Sequence, residues 1–259
     1  MTREIFSYEK MRGRILCRMV GTEKCRELSD DVVRIPYLDV SVIFCIFPDE
    51  AEAGRRAGFR VTQELLQFWG VSAEEMMREA FRNTRSRYRY IFRNLFRVTD
   101  AIAQDAAGFM RDPLRTVESV PGGGGVVRGE ETEEGKTGGS TVKDGVYTLI
   151  NQDFFNGAVI LLFPDLLEEF ALEAGGDLVI LPSSVNELIC LPRREDTDYG
   201  CLRSIVRAVN DTCVSAGEKL SDSIYVYLQE EKRVEIIPEK QEEDEEDGQG
   251  TPVKRGVVI

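Results

Sequence analysis

Histidine is missing from all 259 positions of this chain. Its absence removes the Ser-His-Asp and Cys-His routes to an activated nucleophile, and with them His-ligated zinc. It also removes the one side chain whose ordinary pKa lies near neutrality. No run of about 18 apolar residues occurs, which excludes a transmembrane helix. Residues 1–8 carry charges and lack the apolar stretch of a signal peptide, so the expected location is the cytoplasm, with no membrane association. The six cysteines, Cys17, Cys25, Cys45, Cys190, Cys201 and Cys213, form no C-x-x-C pair. Several sit in apolar runs, where a thiol behaves as a small hydrophobe, so neither a disulfide framework nor a zinc site is expected. Positive charge is in deficit as well: 33 Lys and Arg against 46 Asp and Glu give a net charge of −13. Phosphate repels such a chain, which disfavours general affinity for nucleic acid or anionic membrane.

What is present suffices for a sizeable core, with 42% hydrophobic and 31% charged residues. Two segments lack the apolar content to offset chain entropy. Residues 119–145, with Gly122–Gly125 and Gly129-Glu-Glu-Thr-Glu-Glu-Gly135, read as a flexible Gly/Glu-rich linker. The Gly122–Gly125 run lacks the Gly-Lys-Ser/Thr ending of a phosphate loop. Residues 239–259, with Glu242-Glu-Asp-Glu-Glu-Asp247, read as a solvated acidic tail. That leaves an N-terminal α/β half over 1–118 and a C-terminal α+β half over 146–238.

In the first half, Met11, Ile15 and Met19 recur every fourth residue and predict an amphipathic helix over 8–20. Residues 38–47 are dense in Val, Ile and Phe and predict a strand buried on both faces, with a shorter strand at 58–62. Ser72 followed by Glu75 marks a capping box opening a helix with Met76, Met77, Ala80 and Phe81 on one face. A further helix is expected over 85–110. In the second half, strands are expected at 146–150 and 158–163 around a hairpin loop at 151–157. Asp165 is read as the cap of a helix running to Ala174, with Gly175-Gly176 as its stop. Strands at 177–181 and 187–191 flank the turn 182–186. Leu202, Ile205, Val206 and Val209 mark another amphipathic helix, and a last hairpin joins 224–228 to 234–237. The class is α+β: mixed, mostly antiparallel sheets with packed amphipathic helices.

Several segments carry a resemblance. Pro36-Tyr-Leu-Asp39, Leu66-Gln-Phe-Trp-Gly-Val-Ser-Ala-Glu-Glu75, Tyr147-Thr-Leu-Ile-Asn151, Gly157-Ala-Val-Ile-Leu-Leu-Phe-Pro164, the stretch from Gly176 to Pro192, and Leu220-Ser-Asp-Ser-Ile-Tyr-Val-Tyr227 look like a bacterial family of unknown function common in gut clostridia. A family from bacilli is more distantly similar. The likeness covers most of residues 5–235 and implies no activity, cofactor or catalytic residue. Where the family's turn would carry His after Pro-Ser-Ser-x, this chain has Asn186. Family members tend to carry further α/β sequence before the start of this chain, so a truncated or divergent copy is expected.

The strongest local pattern is Arg82, Arg85, Arg89, Arg93 and Arg97, the last four spaced by four, beside Tyr88, Phe92 and Phe96. On a helix these arginines form one cationic stripe, the chemistry that grips phosphate and stacks bases. Equally, they can pair with the chain's own carboxylates while the aromatics enter the core. Ser183 and Ser184 sit in a turn with no histidine to activate them. The pairs Glu74–Glu75 and Glu168–Glu169 point about 100° apart on a helix, so each pair complements the helix dipole rather than sharing a proton. Trp69 reads as a core residue. No catalytic residue, cofactor or metal is assigned. The leading expectation is a non-enzymatic cytoplasmic interaction protein with another protein as partner. The alternatives are a binding module for a phosphorylated ligand or nucleic acid through the arginines, and an enzyme that works without histidine.

Overall fold

Residues 15–20 show two periodicities in conflict. Met11, Ile15 and Met19 fit a helix, yet helix α1 (Tyr8–Met11) lasts one turn, a 3-10 turn follows (Arg12–Arg14), and β1 (Ile15–Val20) takes over. In β1 only Arg18 escapes full burial. A strand with both faces covered can hide Leu16, Cys17 and Val20 together with Ile15 and Met19, which one helix face cannot. The helix expected over 8–20 is corrected accordingly. The computed structural model describes residues 6–47, 58–94, 126–128 and 145–239.

The first sheet has four antiparallel strands. β1 pairs with β3 (Val40–Ile46), from Ile15 opposite Ile46 to Val20 opposite Ser41. β2 (Arg34–Tyr37) and β4 (Phe59–Arg60) pair with β3 in turn. These are the strands expected at 38–47 and 58–62. The short α2 (Thr22–Arg26) follows β1. Two helices follow, α3 (Gln63–Trp69) and α4 (Ala73–Arg87). Ser72 caps α4 as its motif predicts, its Oγ accepting the Glu75 N–H at 3.1 Å. Met76, Ala80 and Thr84 point inward, and Thr84 Oγ1 accepts the Cys17 N–H at 2.8 Å, fixing α4 on β1.

Of the helix expected over 85–110, residues 95–110 lie outside the described residues, while 85–87 close α4 and Tyr88 turns extended. The aromatic and β-branched run that follows suits a pleated surface, and it forms β5 (Tyr90–Asn94). β5 belongs to the second sheet, with β6 (Val126–Arg128), β7 (Tyr147–Asn151), β8 (Leu178–Leu181), β9 (Leu188–Pro192), β10 (Ile224–Leu228) and β11 (Arg233–Ile237). The order is β11-β10-β8-β9-β7-β5-β6. Every neighbour is antiparallel except the parallel pair β5–β6. The class is α+β with antiparallel sheets. Because β5 lies beside β7, strands from both sides of residues 119–145 share this sheet. One core cluster contains residues from Tyr8 to Val234. The expected linker, apart from 126–128 and 145, and the expected tail beyond Glu239 lie outside the described residues.

Both faces of the second sheet are covered. Leu178, Ile180, Tyr225 and Tyr227 face helix α5 (Pro164–Ala174), while Val179, Leu181, Ile224 and Val226 face helix α6 (Tyr199–Thr212). Double burial explains strands that read as unbroken apolar runs even though they are antiparallel. The same ambiguity misleads at 158–163. There the chain forms a fully buried 3-10 helix (Gly157–Leu162) rather than a strand, so 151–157 is not a hairpin loop. Asn156 turns the chain at φ 59. Gly157 N–H donates to the Asn186 carbonyl at 3.1 Å, so close that an added Cβ would sit 2.3 Å from that oxygen. Asp165 is not the cap of α5. Pro164, whose φ is pre-set and whose missing N–H costs nothing there, opens the helix, with Phe163 in the cap position two residues before Asp165. Gly175 ends it at φ 82, as expected.

Candidate functional site

The arginine stripe is not assembled on one helix. Arg82 lies on α4 and pairs with Glu79 at 3.0 Å. Arg85, on the same helix, donates to the Asp165 carboxylate, and its guanidinium carbon lies 5.8 Å from the centre of the Phe163 ring. Arg89 falls after the helix, where its N–H donates to Gln152 Oε1 and its carbonyl accepts the Gln152 N–H. Arg93 lies in β5, and partial burial lowers its pKa from the usual arginine value. Arg97 is outside the described residues, as is Phe96. Tyr88 is buried, and Phe92 stacks on Tyr147 with ring centres 4.3 Å apart. Spacing by four loses its meaning once the backbone leaves the helix at residue 88.

The other marked residues hold structure. Ser183 and Ser184 are buried, and Ser184 Oγ accepts the Asn186 N–H at 3.1 Å. Asn186 bridges loops: its Oδ1 accepts the Asn156 N–H at 3.0 Å and its Nδ2 donates to Glu218 at 2.9 Å. Glu74, at the start of α4, has its carboxyl held below the usual value by its own backbone N–H and by the Ser72 hydroxyl. Glu168 pairs with Lys232 at 2.9 Å. Trp69 packs on Tyr8 with ring centres 5.5 Å apart, and its indole N–H donates to the Phe6 carbonyl at 2.7 Å. All six thiols are free. Burial pushes Cys17 and Cys190 up to about 12 and Cys45 up to about 11, so these three stay protonated and unreactive near neutrality. Among the described residues, no group of three His, Cys, Asp or Glu side chains could hold a metal ion.

Two features were not marked by the sequence as sites. The first is the tip of the β2–β3 hairpin. Tyr37 pairs with Val40, so Leu38 and Asp39 form a two-residue turn, with Leu38 at φ 53. A non-glycine residue there costs on the order of 1 kcal/mol or more. Asp39 offsets it: Oδ2 accepts the hydroxyls of Ser221 at 2.6 Å and Ser223 at 2.7 Å, and Oδ1 accepts the hydroxyl of Tyr225. Burial, and next the Asp39 charge, keep the Tyr225 hydroxyl well above its ordinary pKa, so it remains a donor. Beside this tip, Gly21 comes so close to the main chain that an added Cβ would lie 2.5 Å from the carbonyl oxygens of both Lys219 and Leu220. A cleft of about 290 Å³ opens there, rimmed by Lys24, Arg26 and Lys219 among Glu23 and Asp222. Lys219 already pairs with Asp222 at 3.0 Å. With its oxygens accepting from three hydroxyls, Asp39 joins the two sheets. The available signal was that Pro36–Asp39 and Leu220–Tyr227, two segments that carry the resemblance, meet at this residue.

The second feature is α6, where Leu202 and Val206 pack into the core as the apolar face read from Leu202, Ile205, Val206 and Val209 predicts, while Ile205 and Val209 do not. Of these only Val206 is buried, while Ile205 is 49% and Val209 37% exposed. The inward residues are Arg203, Val206 and Asn210. Arg203 donates to the Ile237 carbonyl at 3.0 Å, and Asn210 donates to the Ser221 carbonyl at 3.0 Å and to Asp222 at 2.6 Å. These polar contacts set the roll of the helix, because rolling it to bury Ile205 would strand both groups. With about 100° per residue, the outward side carries a strip of Cys201, Ser204, Ile205, Ala208, Val209 and Thr212, bordered beside Ser204 by the exposed Asp211. All six are exposed and none is charged.

The family comparison gives one result. The model of DUF5688, a family of unknown function, matches residues 1–229, and the chain belongs to that family. No curated protein and no solved structure shows significant similarity to it.

Proposed function

We propose that this DUF5688 member is a non-enzymatic interaction protein that binds a protein partner through the outer face of α6. The observation that carries the reading is the inverted helix. Arg203 and Asn210 are turned inward onto backbone carbonyls, while Ile205 and Val209 are turned outward in an uncharged strip. Apolar surface presented by a fixed scaffold and free of charge is what a partner can desolvate at little cost. The unreactive buried thiols and the fully engaged Asp39 carboxylate fit a scaffold better than a catalyst. Exposed free thiols at Cys201 and Cys213 suit a reducing, cytoplasmic setting. Among the described residues no helix is long and apolar enough to cross a membrane.

The test is site-specific photo-crosslinking in the source cells, with the probe at Ala208 and a control probe at the exposed Glu230. A discrete adduct from 208, absent from 230 and lost in Ile205→Glu, is the expected result. No adduct from 208, or one indifferent to Ile205→Glu, contradicts the reading. The alternative of a phosphate or nucleic-acid module loses its motivating geometry, since Arg82 and Arg85 have carboxylate partners and Arg89 and Arg93 lie off the helix.

A further inference from the structure

A cleft of about 400 Å³ opens between the start of α1 and the end of α3, lined by Ser7, Tyr8, Phe68 and Trp69. That volume falls in the range of small-ligand pockets, which begins at about 300 Å³. Its walls are aromatic and held in place. The Tyr8 and Trp69 ring planes meet at 49°, and the Trp69 indole N–H is fixed on the Phe6 carbonyl. Phe68 adds a ring that is 48% exposed. Three aromatic side chains around one cleft suit a weakly hydrated cation, which is attracted by the negative ring faces.

The surrounding charges have the matching sign. Burial first, then the charges of Glu75 and Glu79, raise the Tyr8 hydroxyl above its ordinary pKa, with Arg12 opposing and Glu9 adding, so the ring stays neutral near pH 7. Glu79 and Glu9 have arginine partners in Arg82 and Arg12, whereas Glu75 makes no ion pair among the described residues. The exposed Glu64 stands one turn before Phe68 on the same face of α3. With a net charge of −13 over the whole chain, the field draws cations and repels anions. Which cation follows from the hydrogen-bonding groups. The Ser7 carbonyl already accepts the N–H groups of Lys10 and Met11 at 3.1 Å, and the Phe6 carbonyl is taken by Trp69. A bare ammonium or a metal ion must replace its lost water with oxygen acceptors, but a fully methylated ammonium has no N–H to satisfy and binds ring faces. We propose that this cleft binds a methylated ammonium group, the chemistry shared by small quaternary amines and by a trimethylated lysine. The site is independent of α6 and goes beyond the reading of that helix.

Trp69 is the single tryptophan of the chain, so intrinsic fluorescence reports on this cleft directly. The test is titration of the full chain with choline, with dimethylbutanol (the neutral isostere in which carbon replaces the nitrogen), and with a short peptide carrying trimethyl-lysine. The expected result for choline is a saturable change in Trp69 emission with a Kd of about 0.1–10 mM, the scale of one partly desolvated cationic group. The neutral isostere should bind at least about fivefold more weakly, because it lacks the charge that the ring faces attract. Phe68→Leu, which keeps apolar bulk at a half-exposed position but removes the ring, should weaken choline by about threefold or more. A peptide that binds at least about tenfold more tightly than choline makes a modified protein the source of the group, and equal or weaker binding makes it a free solute. No saturable response to either cation, an isostere that binds as well as choline, or affinity indifferent to Phe68→Leu overturns the proposal.

Discussion

At the β2–β3 hairpin a charged carboxylate sits in the joint between two sheets, while on α6 two branched aliphatic side chains stand in solvent. Both depart from the rule of apolar inside and polar outside, in opposite directions. At Asp39 every part of the departure is compensated: three hydroxyls donate to the carboxylate, and Gly21 lets the backbones close. On α6 the inward polar residues Arg203 and Asn210 make their hydrogen bonds, but among the described residues the outward Ile205 and Val209 remain 49% and 37% exposed. A compensated departure is a joint, and its loss should appear in stability. An uncompensated one on a fixed scaffold is a surface waiting to be covered, and its loss should appear in association.

Substitutions in the two regions can break this comparison. Asp39→Ala strands the hydroxyls of Ser221, Ser223 and Tyr225 and should cost about 3 kcal/mol in urea unfolding, with Asp39→Asn losing less because one acceptor oxygen remains. A loss under about 1 kcal/mol for Asp39→Ala would mean that Asp39 is not a joint. Gly21→Ala pushes a methyl group against two carbonyl oxygens and should cost about 2 kcal/mol, since rigid backbone cannot yield as a side chain would.

The next test concerns the thiols. Cys17, Cys45 and Cys190 have folded pKa values raised by burial above the ordinary 9.0. Unfolded thiols therefore ionise first, and the unfolded state is favoured as pH climbs above that ordinary value. The stability they contribute is complete below pH 9 and is lost as pH rises toward their folded values, at about 1.4 kcal/mol per pH unit for each. An unfolding midpoint that is flat near neutrality and falls above about pH 9 is expected. Thiol labelling of the native chain should mark Cys201 and Cys213 fast and leave these three untouched. Smallest of all, Ile205→Glu should change stability by no more than about 0.5 kcal/mol, as for an ordinary surface position.

Much of this fold could be read from the chain, but less of the candidate site. Local chemistry was reliable: Ser72 capping Glu75, Gly175 ending α5, and the strands 40–46, 178–181 and 224–228 all follow from their own residues. Periodicity failed where burial is two-sided or where polar residues win the interior. Residues 158–162 are apolar throughout and residues 15–20 are apolar except for Arg18, so neither a helical nor a strand period is distinguishable from buried filler. On α6 the heptad-like spacing of Leu202, Ile205, Val206 and Val209 describes a plausible core face, yet Arg203 and Asn210 find backbone carbonyls in Ile237 and Ser221 that only the folded chain brings near. The arginine pattern failed for a simpler reason: a stripe needs one continuous helix, and the aromatic run after Arg87 prefers a sheet. Asp39 was invisible because its three partners lie more than 180 residues away in sequence.

The most direct test of the account pairs two readings on one variant, Ile205→Glu: its unfolding free energy and the adduct formed from a probe at Ala208. The account predicts stability within about 0.5 kcal/mol of the wild type and loss of the adduct. A stability loss of about 2 kcal/mol or more with the adduct intact would show Ile205 to be part of the core and contradict the reading of α6 as a binding face.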